Sequence, residues 1–354
     1  MNNEKIKIAF LVSHENMSSG SYRIWVHDYN KYFREIGVDS RIIQLCKVNS
    51  VVVSQLRSID AFIISKCLHN NILEVTKLIK TYNPSAIIGA ITPPRDMPVG
   101  AIDFAMAGSL EEYDSLSFHR NVILNAHIES LYYESKIKQH KKVNTLKICY
   151  HGWTPHLFSF NFGVRPALEL LAKTRDIELC IISELTKEQL SWTKDNGAPS
   201  IPITYKKWDI KTVKNNILEC DVGICPGVYD MSNELSNIDN KKGKFSTDFT
   251  MRYKNKTNNG RALAFMCLGL PVIADFSPSN FHLFGDNQCG SVAHTAEGWY
   301  RSLNRFSCFK ERSLVVHRAK EFINLNYNPY DWSGRYYNQI LKIFHEKRNS
   351  NKIK

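Results

Sequence analysis

The sequence of 354 residues contains no uninterrupted apolar run of the roughly 18 residues that a membrane-spanning helix needs. The charged first residues lead only into a short apolar run at residues 8–13, which is too short for the core of a secretory signal. We therefore expect a cytoplasmic protein without a signal peptide.

Paired cysteines are also lacking. The nine cysteines are scattered, and no two of them have the C-x-x-C spacing of zinc sites or dithiol redox sites. The odd number argues against a disulfide framework. Cys149, Cys180 and Cys225 lie within apolar runs, so the sequence predicts buried free thiols.

Nucleic-acid-binding motifs are missing as well. The sequence has no zinc-finger spacing, no aromatic RNA-binding motif and no long Lys/Arg run, so we expect no nucleic-acid partner. The formal net charge is nevertheless +12. A charge of this size favours acidic partners, either phosphorylated small molecules or an anionic membrane surface.

The composition that is present is globular. Hydrophobic residues make up 43% and charged residues 23% of the chain, and its length suits two domains. Apolar β-branched runs alternate with helical patterns, which is typical of parallel sheets covered by helices on both faces. In the first half the predicted strands are residues 6–13, 40–45, 61–65, 85–91, 101–107 and 121–125, and the predicted helices are 22–36 and 72–82.

The same alternation restarts after a polar, basic stretch at residues 131–144, which we interpret as a linker. The predicted strands there are 145–150, 177–183, 201–204, 222–225 and 271–274. The predicted helices are 164–173, 187–196, 210–219, one beginning near Asn259, 296–306 and terminal helices through Ile343.

The pattern predicts an α/β protein with two Rossmann-like, doubly wound domains. The first spans residues 1–130 and the second 145–325, and closing helices with a basic tail occupy 326–354. Neither half has G-x-G-x-x-G after its first strand, which argues against two NAD-binding domains. We expect no cofactor.

Ligands of such sheets bind at the carboxyl ends of the strands, so we expect the active site in a cleft between the two sheets. In the first half, Gly20 lies in a loop of small residues that opens onto a helix. Its free backbone amides and the side chain of Arg23 predict an anion site. The alternative is an ordinary helix N-terminus capped by Ser19 or Ser21.

The strongest candidate site is the segment of residues 254–275, where a basic, Asn-rich loop enters a helix followed by an apolar strand. Exposed amides at the helix N-terminus and positive side chains suit a diphosphate. The candidate ligands of this diphosphate are Lys254, Lys256, Asn258, Asn259 and Arg261.

Other candidates follow neighbouring strands. Gly152 allows the backbone to approach a ligand, and His151 is either a phosphate donor or acid–base group, or a structural histidine. Glu184 follows the next strand and is either a nucleotide contact or an exposed loop residue. Asp248 lies in a long polar loop before the basic segment, and it joins His151 as a candidate catalytic residue.

Residues 254–275 resemble the donor-site helix and the "GLPVIA"-like strand of retaining glycosyltransferases of family 4. Residues 205–209 and 220–226 are similar to the family's preceding elements, and residues 107–111 and 122–126 resemble the segment before its interdomain linker. The resemblance covers nearly the whole chain, although it is specific only in residues 254–275. It implies the two-domain GT-B fold and a nucleotide-sugar donor.

The sequence departs from the family's pattern in two features. The glutamate pair that usually holds the donor falls on Lys256 and Ala264, which implies a variant donor mode closest to divergent members. Residues 92–96 read Thr-Pro-Pro-Arg-Asp where the family often has a histidine. The sequence has no convincing D-x-D motif, so basic residues and helix amides are expected to replace a metal ion.

The resemblance implies a retaining, metal-independent transferase that moves sugar to a glycan or lipid-linked acceptor in bacterial surface polysaccharide synthesis, such as lipopolysaccharide. Aromatic residues and the basic tail suit an anionic lipid at the inner face of the membrane, or are core residues and a solvated end. These aromatic residues are Tyr22, Trp25, Tyr29, Trp332, Tyr336 and Tyr337. Two alternatives stay open: a sugar-nucleotide epimerase or hydrolase of the same fold, and a non-catalytic protein that binds a glycan or a partner protein.

Overall fold

The structure is a computed structural model, which describes residues 5–45, 50–94, 97–125, 129–227, 259–286 and 288–352. The chain divides into two compact units. The first consists of Met1–Glu129 and Tyr327–Lys354, and the second consists of Ser130–Asn326. Each unit contains one six-stranded parallel sheet with flanking helices, so the predicted fold class is confirmed.

The sheet of the first unit has the strand order β2-β1-β3-β4-β5-β6, and all neighbouring strands are parallel. Its strands are β1 (Lys7–Val12), β2 (Asp39–Gln44), β3 (Ala61–Ile64), β4 (Ile87–Ile91), β5 (Phe104–Ala107) and β6 (Val122–Leu124). Its helices include Ser50–Arg57, Ile72–Tyr82 and Leu110–Ser115. Alternate residues of β1 point to opposite faces, so Phe10 packs in one hydrophobic cluster and Leu11 in the other.

The first helical stretch has three parts, Gly20–Tyr22, a π-helical turn Arg23–His27, and Asp28–Glu35. The last helix of the chain, Pro329–Lys352, packs against it, and the rings of Tyr29 and Tyr336 lie 5.2 Å apart, centre to centre.

The aromatic side chains that suggested a lipid surface are largely inside the protein. Tyr22, Trp25, Tyr29 and Tyr336 are buried in the core of the first unit. The core explanation of these residues is therefore correct, and they do not support a membrane surface. Among the residues that the structure describes, no helix combines the length and apolar character needed to cross a bilayer.

The sheet of the second unit has the order β12-β11-β10-β7-β8-β9, again parallel throughout. Its strands are β7 (Leu146–His151), β8 (Ile177–Ser183), β9 (Ile203–Lys207), β10 (Val222–Cys225), β11 (Val272–Asp275) and β12 (Ser291–Ala293). Its helices are Val164–Ala172, Val213–Leu218, Gly260–Cys267, Pro278–Phe284, Ala296–Ser307 and Phe309–Asn326. Cys149, Cys180 and Cys225 are buried free thiols, as predicted.

The helix predicted at residues 187–196 is wrong, since only the 3-10 turn Lys194–Asn196 forms there. Leu190 and Trp192 are both buried in the core of the second unit. Because these two positions are two residues apart, a helix would turn them to different sides. An irregular segment lets both side chains reach the core.

The segment of residues 130–144 belongs to the second unit. It approaches Gly269, which has a φ of +76°, and a Cβ atom there would lie 2.4 Å from the Ile137 side chain. Glycine is therefore required at the end of the preceding helix both by the backbone conformation and by this close approach.

Arg312 holds the same segment and is 0% exposed. Its guanidinium donates to the carbonyl oxygens of Lys141 (2.9 Å), Phe306 (2.9 Å) and Ser307 (3.1 Å). It also donates to His140 Nδ1 at 3.1 Å, while His140 Nε2 donates to the Gly269 carbonyl at 2.8 Å. Burial, together with the charge of Arg312, lowers the pKa of His140 to about 4. The imidazole is therefore neutral, which this hydrogen-bond pattern requires.

Candidate functional site

The strand order of the second unit creates a crevice at the carboxyl end of its sheet. β7 is its first strand, β8 lies on one side of it and β10 on the other. The chain therefore leaves β7 and β10 in opposite directions, which opens a crevice where ligands of such sheets bind. The loop after β7 begins at Gly152, and the loop after β10 begins at Pro226.

Arg261 lies beside this crevice, in the first turn of the helix Gly260–Cys267. Its guanidinium nitrogens are 3.5 Å from the Tyr150 hydroxyl and 3.4 Å from the Pro226 carbonyl oxygen. Its central carbon is 5.7 Å from the centre of the Tyr150 ring. These hydrogen bonds are long, so they hold the guanidinium in place weakly. An anionic ligand can replace them with shorter, charge-assisted bonds.

Gly152 makes room for this arginine. Its φ is +134°, and a Cβ atom at this position would lie 2.8 Å from Arg261 Cδ. A side chain here would be strained and would also push Arg261 away from the crevice. The two residues, which are distant in the sequence, are therefore matched in the structure.

The side chain of His151 is packed between aromatic rings. It is 8% exposed, and its ring centre lies 5.6 Å from that of Phe265 and 6.1 Å from that of Tyr132. This environment is the one expected for the structural alternative.

His156 was not identified from the sequence. It lies in the 3-10 turn Thr154–Phe162, and its ring centre is 5.9 Å from that of Trp153. Burial, with the Arg261 charge adding to it, lowers the pKa of His156 to about 2. Burial raises the pKa of Cys225 to about 11, and Arg261 opposes that rise. Burial is the larger cause of both shifts, and in each the smaller effect of Arg261 is that of a nearby positive charge, which suits an anion.

A corresponding edge exists in the first unit, where β1 has β2 on one side and β3 on the other. A pocket opens between the loops that follow β1 and β3. It is lined by His14, Asn16, Ser19, Ser21, Tyr22, Val26, Ser65, Lys66 and Cys67. Six of these nine residues carry a hydroxyl, amide or imidazole group, so the pocket offers several hydrogen-bonding groups to a polar ligand.

The thiol of Cys67 in this pocket was also not identified from the sequence. Its partial burial raises its pKa, but hydrogen bonds with Ser13 and Ser65 outweigh this effect and lower the pKa below the ordinary value. The Ser13 amide and the Ser65 hydroxyl lie 3.3 Å and 2.9 Å from Sγ. Its place two residues after the predicted strand 61–65 was the only sequence signal for this position.

No model of a protein family matches the sequence, and no curated protein matches it either. Solved structures do match. A glycosyltransferase from Rickettsia africae has a TM-score of 0.61 and 12% identity, covering 97% of this chain and 98% of that chain. Anabaena HepE, in a complex with UDP and glucose, has a TM-score of 0.54 and 9% identity, covering 99% and 100%. WaaG, a glycosyltransferase of lipopolysaccharide biosynthesis, has a TM-score of 0.52 and 12% identity, covering 94% and 99%.

These neighbours are GT-B glycosyltransferases, and the likeness extends over both units. The chain has the GT-B fold. At 9–12% sequence identity the likeness establishes the fold alone.

Within this GT-B chain, Asn259 adjoins Arg261 at the start of the helix. Its Nδ2 donates to the Ser279 carbonyl oxygen at 3.1 Å, which links the helices Gly260–Cys267 and Pro278–Phe284. Its buried Oδ1 has no hydrogen-bond partner within the described ranges. Three predicted donor-site residues and one predicted catalytic residue lie outside the described residues: Lys254, Lys256, Asn258 and Asp248.

Gly20 and Arg23 belong to the other unit of the GT-B fold. Arg23 is 5% exposed, donates to the Met17 carbonyl oxygen at 2.7 Å and forms an ion pair with Glu129. Its guanidinium therefore stabilises the loop after β1. Glu184 is exposed at the end of β8, on the opposite side of β7 from β10. The structure thus brings together Gly152, Asn259 and Arg261, with His151 packed nearby.

We expect the low pKa of His156 to make the protein sensitive to acid. The folded state favours neutral imidazole, so below the unfolded pKa of about 6.5 only the unfolded chain gains the proton. Stability is lost as the pH falls from about 6.5 toward 2, by about 2 kcal/mol between pH 6.5 and pH 5. Urea unfolding at pH 7 and pH 5 should show a smaller loss of unfolding free energy on acidification for His156→Asn than for the wild type. The exposed His317 provides a matched control, because His317→Asn should leave the loss unchanged. An identical loss in the His156 variant would contradict this account.

Proposed function

We propose that the protein is a glycosyltransferase that takes sugar from a nucleotide-sugar donor and transfers it to a glycan or lipid-linked acceptor. The observation that carries this proposal is the guanidinium of Arg261 at the crevice between the ends of β7 and β10, above the glycine that makes room for it. A GT-B neighbour, HepE, was solved with UDP and glucose, which supports a nucleotide-sugar donor.

The donor's diphosphate is the group that this crevice suits. The forked donors of Arg261 match two phosphate oxygens at once. The amides in the first turn of the helix Gly260–Cys267 add the positive end of the helix dipole. When the glycosidic bond to the donor breaks, negative charge grows on the diphosphate, and these groups stabilise it. Lys254, Lys256 and Asn258 are proposed to add to this charge in place of a metal ion.

The acceptor is proposed to bind in the pocket of the first unit that contains Ser21, Lys66 and Cys67. Its hydroxyl and amide groups suit sugar hydroxyls, and Lys66 and His14 suit an acidic group on a lipid-linked glycan. The neighbour WaaG acts in lipopolysaccharide biosynthesis, which supports a surface-glycan acceptor. Retention of the anomeric configuration is proposed from the family 4 resemblance of residues 254–275. The basic tail is proposed as the contact with an anionic membrane surface.

The proposal is tested by a thermal-shift screen with UDP, GDP, CMP and their sugar derivatives, carried out in EDTA. One of these nucleotides, with its sugar derivatives, should raise the melting temperature, because a ligand at one hundred times its Kd stabilises the native state by about 2.7 kcal/mol. Mass spectrometry should then detect sugar transfer to added glycan acceptors, still in EDTA.

Other results separate the alternatives. Turnover of the donor at the same rate with and without an acceptor would favour the epimerase or hydrolase. The absence of a shift with every nucleotide would favour a non-catalytic protein. Activity that disappears in EDTA and returns with Mg²⁺ or Mn²⁺ would contradict metal independence.

A further inference from the structure

A second cavity of the first unit lies between the first helical stretch and the last helix of the chain. Its volume is about 210 Å³, including the part that is open to solvent, and its inner part has room for about one water-sized group. It is lined by Ile24, Asp28, Tyr29, Tyr32, Pro329, Trp332 and Ser333. Ile24 and Trp332 are only half-buried, so a small molecule can enter from the surface. None of the lining residues belongs to the pocket that we assign to the acceptor.

The hydroxyl of Ser333 in this wall has no hydrogen-bond partner in the part of the chain that the structure describes, and the residue is 0% exposed. A serine inside a helix can donate to the carbonyl oxygen four residues earlier, which here belongs to Pro329, but Ser333 does not. A buried hydroxyl without a partner destabilises the folded state, and alanine would avoid this penalty. A ligand in the cavity would supply the missing contact.

The cavity wall also contains a buried acid. Asp28 is 3% exposed and directly follows the π-helical turn Arg23–His27. Turns of this kind are frequent at functional sites. Ile24, Asp28 and Tyr32 are spaced four residues apart, so they share the helix face that lines the cavity. One carboxylate oxygen of Asp28 lies 3.0 Å from His27 Nδ1. A buried carboxylate favours a positively charged ligand.

The rest of the wall is largely aromatic, with the rings of Tyr29, Tyr32 and Trp332. The faces of such rings are negative and attract cations. Lys31 Nζ already lies 5.3 Å from the centre of the Tyr32 ring, which is consistent with this attraction. An acid, a hydroxyl and aromatic rings around a water-sized space are the features that bind an ammonium group.

We propose that this cavity binds the primary ammonium group of a small amine, which donates hydrogen bonds to Asp28 and Ser333. Ethanolamine is an amine of this class, either free or as the head group of a lipid. The site is separate from the donor crevice and the acceptor pocket, and the inference does not rest on the proposed function.

Calorimetric titration of the full-length protein with methylammonium chloride tests the site at about pH 8.5, where a primary amine is still charged. Binding should weaken at least about 10-fold in Asp28→Asn, which loses the charge, and about 3- to 10-fold in Ser333→Ala, which loses one hydrogen bond. Without amine, Ser333→Ala should melt no lower than the wild type, because the folded state loses no hydrogen bond. Asp331→Asn is the matched control, because it removes the same charge from an exposed position in the first turn of the last helix.

Several results would overturn the inference. They are a wild-type protein that does not bind methylammonium, equal affinity in the wild type and Ser333→Ala, and equal affinity in the wild type and a folded Asp28→Asn. Tetramethylammonium is too large for the inner part of the cavity, so it should bind at least about 10-fold more weakly at the same ionic strength. Equal binding of the two cations would place the amine outside the cavity and would also overturn the inference.

Co-sedimentation with vesicles distinguishes the two sources of the ammonium group. The vesicles contain ethanolamine lipids or choline lipids with the same share of anionic lipid. A preference for ethanolamine lipids that Asp28→Asn abolishes would assign the lipid head group, and methylammonium binding without such a preference would assign a free amine. A protein that binds methylammonium in this way but transfers no sugar would contradict the proposed function and leave this site standing.

Discussion

Replacing Arg261 with alanine is expected to weaken the binding of nucleoside diphosphates by about 10- to 150-fold, which corresponds to the loss of charge-assisted hydrogen bonds. The melting temperature should change little, because the contacts of Arg261 with Tyr150 and Pro226 are long, at 3.5 Å and 3.4 Å. Arg261→Lys should have intermediate affinity, since lysine keeps the charge but not the planar fork.

Calorimetric titration of each variant with the nucleotide that stabilises the wild type, beside a melting curve, checks this expectation. Arg301→Ala is the control, because it removes the same charge from an exposed position on the helix Ala296–Ser307 of the same unit. Unchanged affinity in Arg261→Ala would remove this residue from the donor site.

Replacing Arg312 with methionine is expected to cause the largest loss of stability, about 3–5 kcal/mol. Methionine retains the apolar stem of the side chain but leaves the carbonyl oxygens of Lys141, Phe306 and Ser307 without their donor. A buried acceptor without a partner destabilises the folded state more than the net contribution of the bond it made. The 130–144 segment should also lose its attachment to the helix Phe309–Asn326.

Two measurements test this expectation. Urea unfolding should show a lower midpoint for Arg312→Met, and amide exchange should become faster in the 130–144 segment. Lys320→Met, at an exposed position of the same helix, should change neither. A normal midpoint together with normal exchange in Arg312→Met would mean that these hydrogen bonds contribute little to stability.

The strands were predictable because parallel sheets covered on both faces produce short, continuous apolar runs. The predicted strands 177–183 and 222–225 coincide with β8 and β10, and the predicted helix 72–82 coincides with Ile72–Tyr82. These elements bury their own apolar pattern, so local sequence determines them. The π-helical turn Arg23–His27 has no such local signal, and neither does the irregular course of residues 187–196.

Contacts between distant parts of the chain account for most of what the sequence did not reveal. The basic stretch that contains Lys141 and Lys142 resembles a free linker, because nothing near it indicates that Arg312 will hold it.

The candidate site was predictable in its parts but not in its assembly. Gly152 was predicted because it follows a strand, and Arg261 because it lies at the start of a helix. The structure shows in addition that Gly152 makes room for the Arg261 side chain. Arg23 had the residue type of an anion ligand, yet its partners Met17 and Glu129 engage it within the first unit. A charged side chain in a loop therefore indicates a binding site only when other residues of the fold do not already engage it.

The central claim, that the crevice of the second unit binds the nucleotide-sugar donor, is tested most directly by amide hydrogen exchange of the full-length protein. The exchange is measured with and without a saturating amount of the nucleotide that stabilises the protein. The account predicts slower exchange at Gly152, at Gly227 and in the first turn of the helix Gly260–Cys267, and a loss of this protection in Arg261→Ala. Protection confined to the first unit, or protection that is unchanged in Arg261→Ala, would contradict the account.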